Sequence, residues 1–283
     1  MDAVHEAEEI EARLFLEAIY VRYDYDLRGY AAAPMRRRLA AALARSGLPH
    51  LGELQHRVLH DQRFFADVLH DLTVPVSELF RDPGFYRCFR ARVVPVLRTY
   101  PLLRIWHAGC ASGEEAYTSA IVFKEEGLYE RSQIYATDLS PQSVESAKTG
   151  VYSADRLGAF QENYEQAAGQ ASLSNYYTTA YDRIAMNEHL RRSMLFFQHN
   201  LVSDHVFGEM HVIFCRNVLM YFGHDLRQQV LAKFRQSLCV GGFLCLGDSE
   251  QLSPADLQNE FSEFSACDRI YRFKAAARKG RHA

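Results

Sequence analysis

The segment with the most chemical content is Arg104-Ile105-Trp106-His107-Ala108-Gly109-Cys110-Ala111-Ser112-Gly113-Glu114-Glu115-Ala116-Tyr117. An apolar run enters a turn of small residues and then a helix that opens on two acids. Small residues at such a bend let the main chain approach a ligand closely. In a dinucleotide site the helix start would face a pyrophosphate, which anionic side chains repel. Glu114 and Glu115 therefore speak against a nicotinamide cofactor and favour a ligand with cationic groups, such as the ammonium and sulfonium of S-adenosylmethionine. Asp138, at the end of Ala136-Thr137-Asp138, suits a ribose hydroxyl pair. Taken alone, the pattern also fits a tight strand–helix turn with solvated acids.

Polar residues recur after later apolar segments: His199-Asn200-Leu201, Arg216-Asn217 within Phe214–Phe222, and Gly247-Asp248-Ser249-Glu250. In an open α/β sheet the ligand lies beyond the carboxyl ends of the strands, so these residues converge on one crevice. The elements that must position them follow from apolar periodicity. Strands are expected at Leu103–Ala108, Gln133–Thr137, Leu195–Phe197, Val212–Cys215 and Phe243–Leu246, with an edge strand at Asp268–Phe273. Helices are expected at Gly113–Glu126, Pro141–Thr149 and Asp225–Leu238, and Asp82-Pro83 reads as a helix start with Asp as N-cap. This alternation predicts an α/β fold, a mostly parallel Rossmann-like sheet with helices on both faces. Over residues 154–192 the rhythm lapses. Tyr176–Tyr181 and Arg183–Met186 read there as a β-ribbon with a turn at Asn187-Glu188, so the stretch is an insertion.

Ahead of Thr73-Val74-Pro75 the pattern is helical. Leu14, Ile19 and Tyr20 share a face, Met35–Arg45 stops at Ser46-Gly47, and Leu51–Val58 and Phe64–Leu72 are periodic. A small all-helical domain is expected over residues 1–75 and the α/β domain over 76–283, ending in a basic, frayed tail at Ala275–Ala283.

The 283 residues, 48% hydrophobic, can bury a full core. A net charge of −3 argues against nucleic acid as the dominant partner. The six cysteines form no CxxC pair and sit mostly in apolar runs, which points to reduced, buried thiols. No apolar run reaches the roughly 18–20 residues of a membrane span, and the acidic start Met1–Glu6 is unlike a secretory leader, so a soluble cytoplasmic protein is expected. His56 and His60 flank Arg57 where a zinc protease would carry Glu, so no metal is expected. His107 reads as a strand histidine with a satisfied ring and Trp106 as core.

Ser77-Glu78-Leu79-Phe80-Arg81-Asp82, Gly113-Glu114-Glu115-Ala116-Tyr117, Ala136-Thr137-Asp138, Asn200-Leu201 and Phe214–Phe222 occur in that order. The series resembles the chemoreceptor glutamate methyltransferases of the CheR type over nearly the whole chain. Phe214-Cys215-Arg216-Asn217-Val218-x-x-Tyr221-Phe222 is the specific part of the likeness. The resemblance implies a methyltransferase sheet with an inserted β-subdomain, S-adenosylmethionine as cofactor and S-adenosylhomocysteine as product. It implies O-methylation of glutamates on the helical cytoplasmic region of chemoreceptors, by a monomer that does not itself insert into the membrane. Residue by residue, Ser77 and Arg81 would line the cofactor and methyl-transfer site beside Gly109. Glu114 or Glu115 would hold the methionine ammonium and Asp138 the ribose. Asn200 and Leu201 would flank the adenine, Arg216 and Asn217 would border the methionine end, and Tyr221 would lie near the transferred methyl. Pro75 stands where the family often has Asn and cannot supply that contact.

Esterifying a glutamate is an in-line displacement by a carboxylate with an ordinary pKa of about 4.3, so no general base is required. The protein must supply proximity, orientation and a dry site. Arg81 can fork onto the incoming carboxylate, though an interdomain ion pair is the alternative. Arg36, Arg37, Arg38 and Arg45 make a basic helix, either a solvated face or a complement to an acidic helical substrate. Family members that dock a receptor C-terminal pentapeptide carry a glycine-bearing loop in the β-subdomain. Tyr176–Arg192 holds no Gly, which predicts independence of that tether. A cofactor-binding member that has become an interaction module is the competing reading, favoured only by Pro75 and Ser77.

Overall fold

The computed structural model describes residues 3–73, 77–265 and 268–274; Val74, Pro75, Cys267 and the basic tail at Ala275–Ala283 lie outside the described residues. One sheet contains β1 (Leu103–Ala108), β2 (Ser132–Asp138), β6 (Met194–Gln198), β7 (Met210–Cys215), β8 (Leu238–Leu246), β9 (Phe261–Ser265) and β10 (Ile270–Phe273). A second sheet contains β3 (Val151–Ser153), β4 (Tyr177–Ala180) and β5 (Arg183–Met186), all antiparallel. The large sheet runs β6-β2-β1-β7-β8-β10-β9. Its first five members are parallel, and β10 and β9 close it antiparallel. Strand order reverses at β1, whose neighbours are β2 on one side and β7 on the other, and this switch point opens a crevice at the carboxyl ends.

Alternate residues of each central strand enter different cores. Ile105, Ile134, Phe214 and Cys245 face Phe123 and Tyr117, whereas Trp106, Ile213, Leu244 and Leu246 face Phe234 and Leu231. Trp106 is fully buried, and its indole N–H donates to Thr137 Oγ1 at 2.9 Å. Burying each such side chain contributes about 1.5–3 kcal/mol. The flanking helices are α5 (Pro83–Cys88), continued through a π turn into α6 (Val94–Leu97), then α7 (Glu114–Glu125), α8 (Pro141–Thr149), α9 (Leu157–Gln166), α10 (His224–Ser237) and α11 (Pro254–Asn259).

Ahead of the sheet, α1 (Ala3–Tyr23), α2 (Ala32–Ser46), α3 (Leu51–His60) and α4 (Gln62–Thr73) enclose a separate core of Phe15, Ile19, Leu39, Leu54, Val58 and Leu69. Gly47 ends α2 in the left-handed region (φ 69). The helical bundle is sewn to the sheet domain through main chain. Ala31 N–H donates to Tyr221 O and Gly223 N–H to Gly29 O, each at 2.8 Å, around a Tyr30–Phe222 bridge.

Several local expectations change. The α1 core face is Phe15 and Ile19, and Leu14 is 52% exposed, because a residue one position off lies about 100° around the helix. The insertion begins at β3, its ribbon turns at Tyr181-Asp182 rather than Asn187-Glu188, and it contains the helix α9. The segment expected as an edge strand, β10, is interior, and the edge is β9. Asp82 precedes α5 but caps nothing: it sits at φ 57 and its carboxylate pairs with Arg216.

Candidate active site

The turn after β1 explains its small residues. Gly109 N–H and Cys110 N–H both donate to Thr137 O, at 2.9 and 2.8 Å, which folds the chain tightly across the end of β2. Gly109 has φ 86, and a Cβ there would lie 2.5 Å from Val218 Cγ2. Gly113 has φ 94, and a Cβ there would lie 2.8 Å from Ala147 Cβ on α8. Neither position accepts a side chain without strain. Asp138 completes the turn, with Oδ2 accepting Ala111 N–H and Oδ1 accepting Ser140 N–H, both at 2.9 Å. Burial pushes the Asp138 carboxyl above its usual range, only partly opposed by those amides.

A cavity of about 310 Å³ lies against this turn, within the size range of small-molecule sites. Its wall includes Arg81, Gly109, Asp138, Asn200, Leu201, Arg216, Asn217 and Tyr221, together with Tyr30, Arg38 and Thr73 from the helical bundle. A narrower recess adjoins it, sharing Arg81, Gly109, Arg216 and Asn217 and adding Ser77 and Glu115. Thus nearly every residue singled out around the crevice is brought together.

Glu114 is the exception. It is fully buried and turned from the crevice, with Oε2 accepting Ser112 Oγ–H and Oε1 accepting Arg156 Nη1, both at 2.7 Å. Burial raises its pKa against those two partners. Glu115 faces the recess instead, where Oε1 meets His107 Nδ1 at 3.0 Å and Oε2 meets Arg216 Nη1 at 3.1 Å. Burial would raise its pKa, but His107 and the Arg216 charge overcome that and hold Glu115 below the usual glutamate range. Arg216 also binds Asp82 Oδ2 at 2.8 Å and Arg81 O at 3.3 Å, joining the recess to the segment before α5. Glu115 and Asp82 hold its guanidinium charged despite burial. The His107 ring is only half satisfied, since Nε2 is buried without a partner.

The loop after β7 carries Arg216, Asn217 and Tyr221. Asn217 adopts φ 61, and the loop is held by the buried Glu250 carboxylate, which accepts N–H bonds from Asn217, Met220 and Gly247 at 2.8, 3.0 and 2.8 Å. Left-handed non-glycine residues cluster at the site: Phe80, Asp82, Ala111 and Asn217, each a cost of about 1–3 kcal/mol. Asn200 Oδ1 accepts Val202 N–H at 2.9 Å, leaving its amide group as a donor.

The basic residues of α2 separate. Arg36 pairs with Glu9 and Arg45 with Asp71, and Arg37 is exposed. Arg38 instead is buried in the cavity wall, donating to Leu72 O at 2.7 Å and stacking 3.9 Å from the Tyr221 ring centroid. Its Nε and Nη2 have no partner. Arg81 makes no ion pair among the described residues, so it is not an interdomain salt bridge there. Sequence reasoning missed Tyr30, Thr73 and the wall position of Arg38; only the helical phase of Arg38, about 100° from Arg37, could have separated the two.

The residues present suit a ligand that is cationic at one end and carries a ribose: an anion held ionised in the recess, and an acid on a main-chain turn beside the larger cavity. Comparison with known proteins agrees. Residues 75–268 match the family described as CheR methyltransferase, SAM binding domain, and residues 10–73 the CheR methyltransferase all-alpha domain. The putative methyltransferase Cher3 of Pseudomonas putida is 44% identical over 93% of this chain and 97% of its own length. A chemotaxis protein methyltransferase of Listeria innocua is 30% identical over 82% of this chain and 86% of its own. Chemotaxis protein methyltransferase 1 of Pseudomonas aeruginosa is 30% identical over 76% and 81%. With an S-adenosylmethionine-binding sheet behind an all-helical domain, and a crevice whose charges suit that cofactor, the chain belongs to the CheR methyltransferase family.

Proposed function

We propose that this protein methylates glutamate side chains on the helical cytoplasmic domains of chemoreceptors, as the Listeria and Pseudomonas aeruginosa relatives' designation as chemotaxis methyltransferases suggests. One observation carries the acceptor class. Beside Tyr221 in the cavity wall, the Arg81 side chain makes no ion pair or hydrogen bond among the described residues, and Arg38 is stacked on the Tyr221 ring. A guanidinium that spends none of its N–H groups within the protein is open to an anion, and a carboxylate fits its fork.

In this reading Glu115 binds the cofactor's ammonium, Asp138 its ribose, Asn200 and Leu201 its adenine, and Ser77, Gly109, Arg216 and Asn217 border its methionine end. Glu114 keeps the helix start in place from outside the crevice. Bound S-adenosylmethionine supplies an electrophilic methyl on a sulfonium. Arg81 orients the glutamate carboxylate, Arg38 braces the Tyr221 ring, Tyr221 presents its hydroxyl to the transfer site, and the helical bundle keeps water out. No proton is moved, since the nucleophile is ionised near neutral pH. Arg36, Arg37 and Arg45 on the outer face of α2 steer an acidic helix towards this wall. The tight Tyr181-Asp182 turn of the insertion supports an enzyme that works without a pentapeptide tether; micromolar binding of such a peptide would contradict that.

The test is transfer of labelled methyl from S-adenosylmethionine to a receptor cytoplasmic fragment. Base-labile label on glutamate is expected, because carboxyl methyl esters hydrolyse in alkali. Cofactor binding without any incorporation would instead mark the protein as an interaction module.

A further inference from the structure

The segment Ser77–Asp82 carries Ser77 and Arg81 into the recess and contains two left-handed non-glycine residues, Phe80 (φ 55) and Asp82 (φ 57). A strap in that shape persists only when its surroundings over-determine it. Its second half is held from the sheet domain. Thr118 Oγ1 accepts Phe80 N–H at 2.9 Å, and Arg216 binds Arg81 O and Asp82. Its first half is held from the inserted subdomain. Arg156, just after β3, forks between Glu114 Oε1 at 2.7 Å and Ser77 O. Asn163 of α9 donates to Leu79 O at 3.2 Å, and the Phe80 ring meets Tyr164 edge-on at 5.1 Å. The insertion also grips the turn before α7, where Tyr152 O–H donates to Ser112 O at 2.9 Å.

We infer that the inserted β-subdomain is a clamp for the methyl-transfer strap, and that Arg156 is the positioning residue that sets Ser77 and Arg81 against the recess. The insertion therefore acts inside this enzyme, whatever else docks on its outer surface. Arg156 suits the task because a planar guanidinium can bind a carboxylate and a carbonyl at once, whereas an ammonium cannot span both in a fixed geometry. The pairing also explains why Glu114 can be fully buried as an acid at the helix start. The inference rests on the reading of Arg81 as a methyl-transfer residue.

The test uses the full chain with Arg156→Lys, which keeps a positive charge beside Glu114. Asn163→Ala, which leaves no buried charge behind, guards against a folding artefact. In both, amide hydrogen exchange in residues 77–82 is expected to quicken about tenfold, while residues 103–108 stay protected. Methyl transfer to a receptor fragment is expected to fall about tenfold in Arg156→Lys, and Arg156→Lys combined with Arg81→Ala is expected to be no slower than Arg81→Ala alone. Unchanged exchange in the strap would overturn the clamp, as would full turnover in Arg156→Lys or a loss that multiplies on the Arg81→Ala background. Full turnover in Arg81→Ala by itself would overturn the reading of the site, a result distinct from failure of the clamp alone.

Discussion

Adjacent acids at the start of α7 have opposite environments, and exchanging each for its amide separates their roles. Glu115 sits between His107 and Arg216 with its remaining lone pairs towards the recess, its side chain 18% exposed. Within this cluster Glu115 and Asp82 both pair with Arg216. Glu115→Gln preserves shape and an acceptor for Arg216 but removes one negative charge from the recess before a cationic ligand enters. A hydrogen bond to a charged group contributes about 1.5–3 kcal/mol, so its loss corresponds to roughly 10- to 150-fold in affinity. Glu114→Gln keeps an acceptor for Arg156 and a donor for Ser112, and it removes a buried charge from outside the crevice. Isothermal titration with S-adenosylhomocysteine should show the full loss for Glu115→Gln and less than about threefold for Glu114→Gln. Equal losses in the two variants, or the reverse order, would refute the assignment of the recess.

Asp138 should impose a pH limit on binding. Its raised pKa means that it takes up a proton above the ordinary aspartate value of about 3.9, so affinity for S-adenosylhomocysteine should decline on mild acidification while Glu115, held low, stays ionised. Asp138→Asn should bind weakly and without that decline. Unfolding through Asp138 cannot mimic the effect, since a group whose folded-state pKa is raised favours the native state as pH falls and loses that contribution as pH rises through the folded value. Tyr221→Phe keeps the ring over Arg38 and the main-chain bond from Ala31, so turnover should fall by about tenfold, roughly 1.4 kcal/mol, with binding of S-adenosylhomocysteine nearly unchanged. Gly113→Ala places a methyl against Ala147 at φ 94 and should cost about 1–3 kcal/mol, read as a lower melting temperature; an unaltered melting curve would show that α7 and α8 can separate freely.

The sheet was legible because its strands are buried on both faces. Continuous apolar runs such as Ile105-Trp106 and Val212-Ile213-Phe214 admit little else, and the residues after them fall at one end by topology. Crevice membership of Asp138, Asn200, Arg216 and Tyr221 followed from that. Orientation did not. Whether Glu114 or Glu115 faces the recess is decided by Arg156 and Arg216, which are distant in sequence, and no local pattern encodes either pairing. The β-ribbon turn was misplaced because Asn187-Glu188 looks like a turn, whereas Tyr181 adopts φ 54 with no glycine to signal it. Arg38 looked like its neighbours because composition carries no helical phase.

The seam at Gly29–Ala31 and Tyr221–Gly223 has a consequence for how such a protein can change. Its bonds are between peptide groups, so replacing side chains leaves them intact, while a Cβ at Gly223 would come within 3.0 Å of Gly29 O. The helical bundle and the loop bearing Tyr221 are consequently stitched by the one part of the polypeptide that substitution alters least. Side chains on the bundle's outer helices can drift while the seam carries the placement of those helices, unaltered, to the Tyr221 loop.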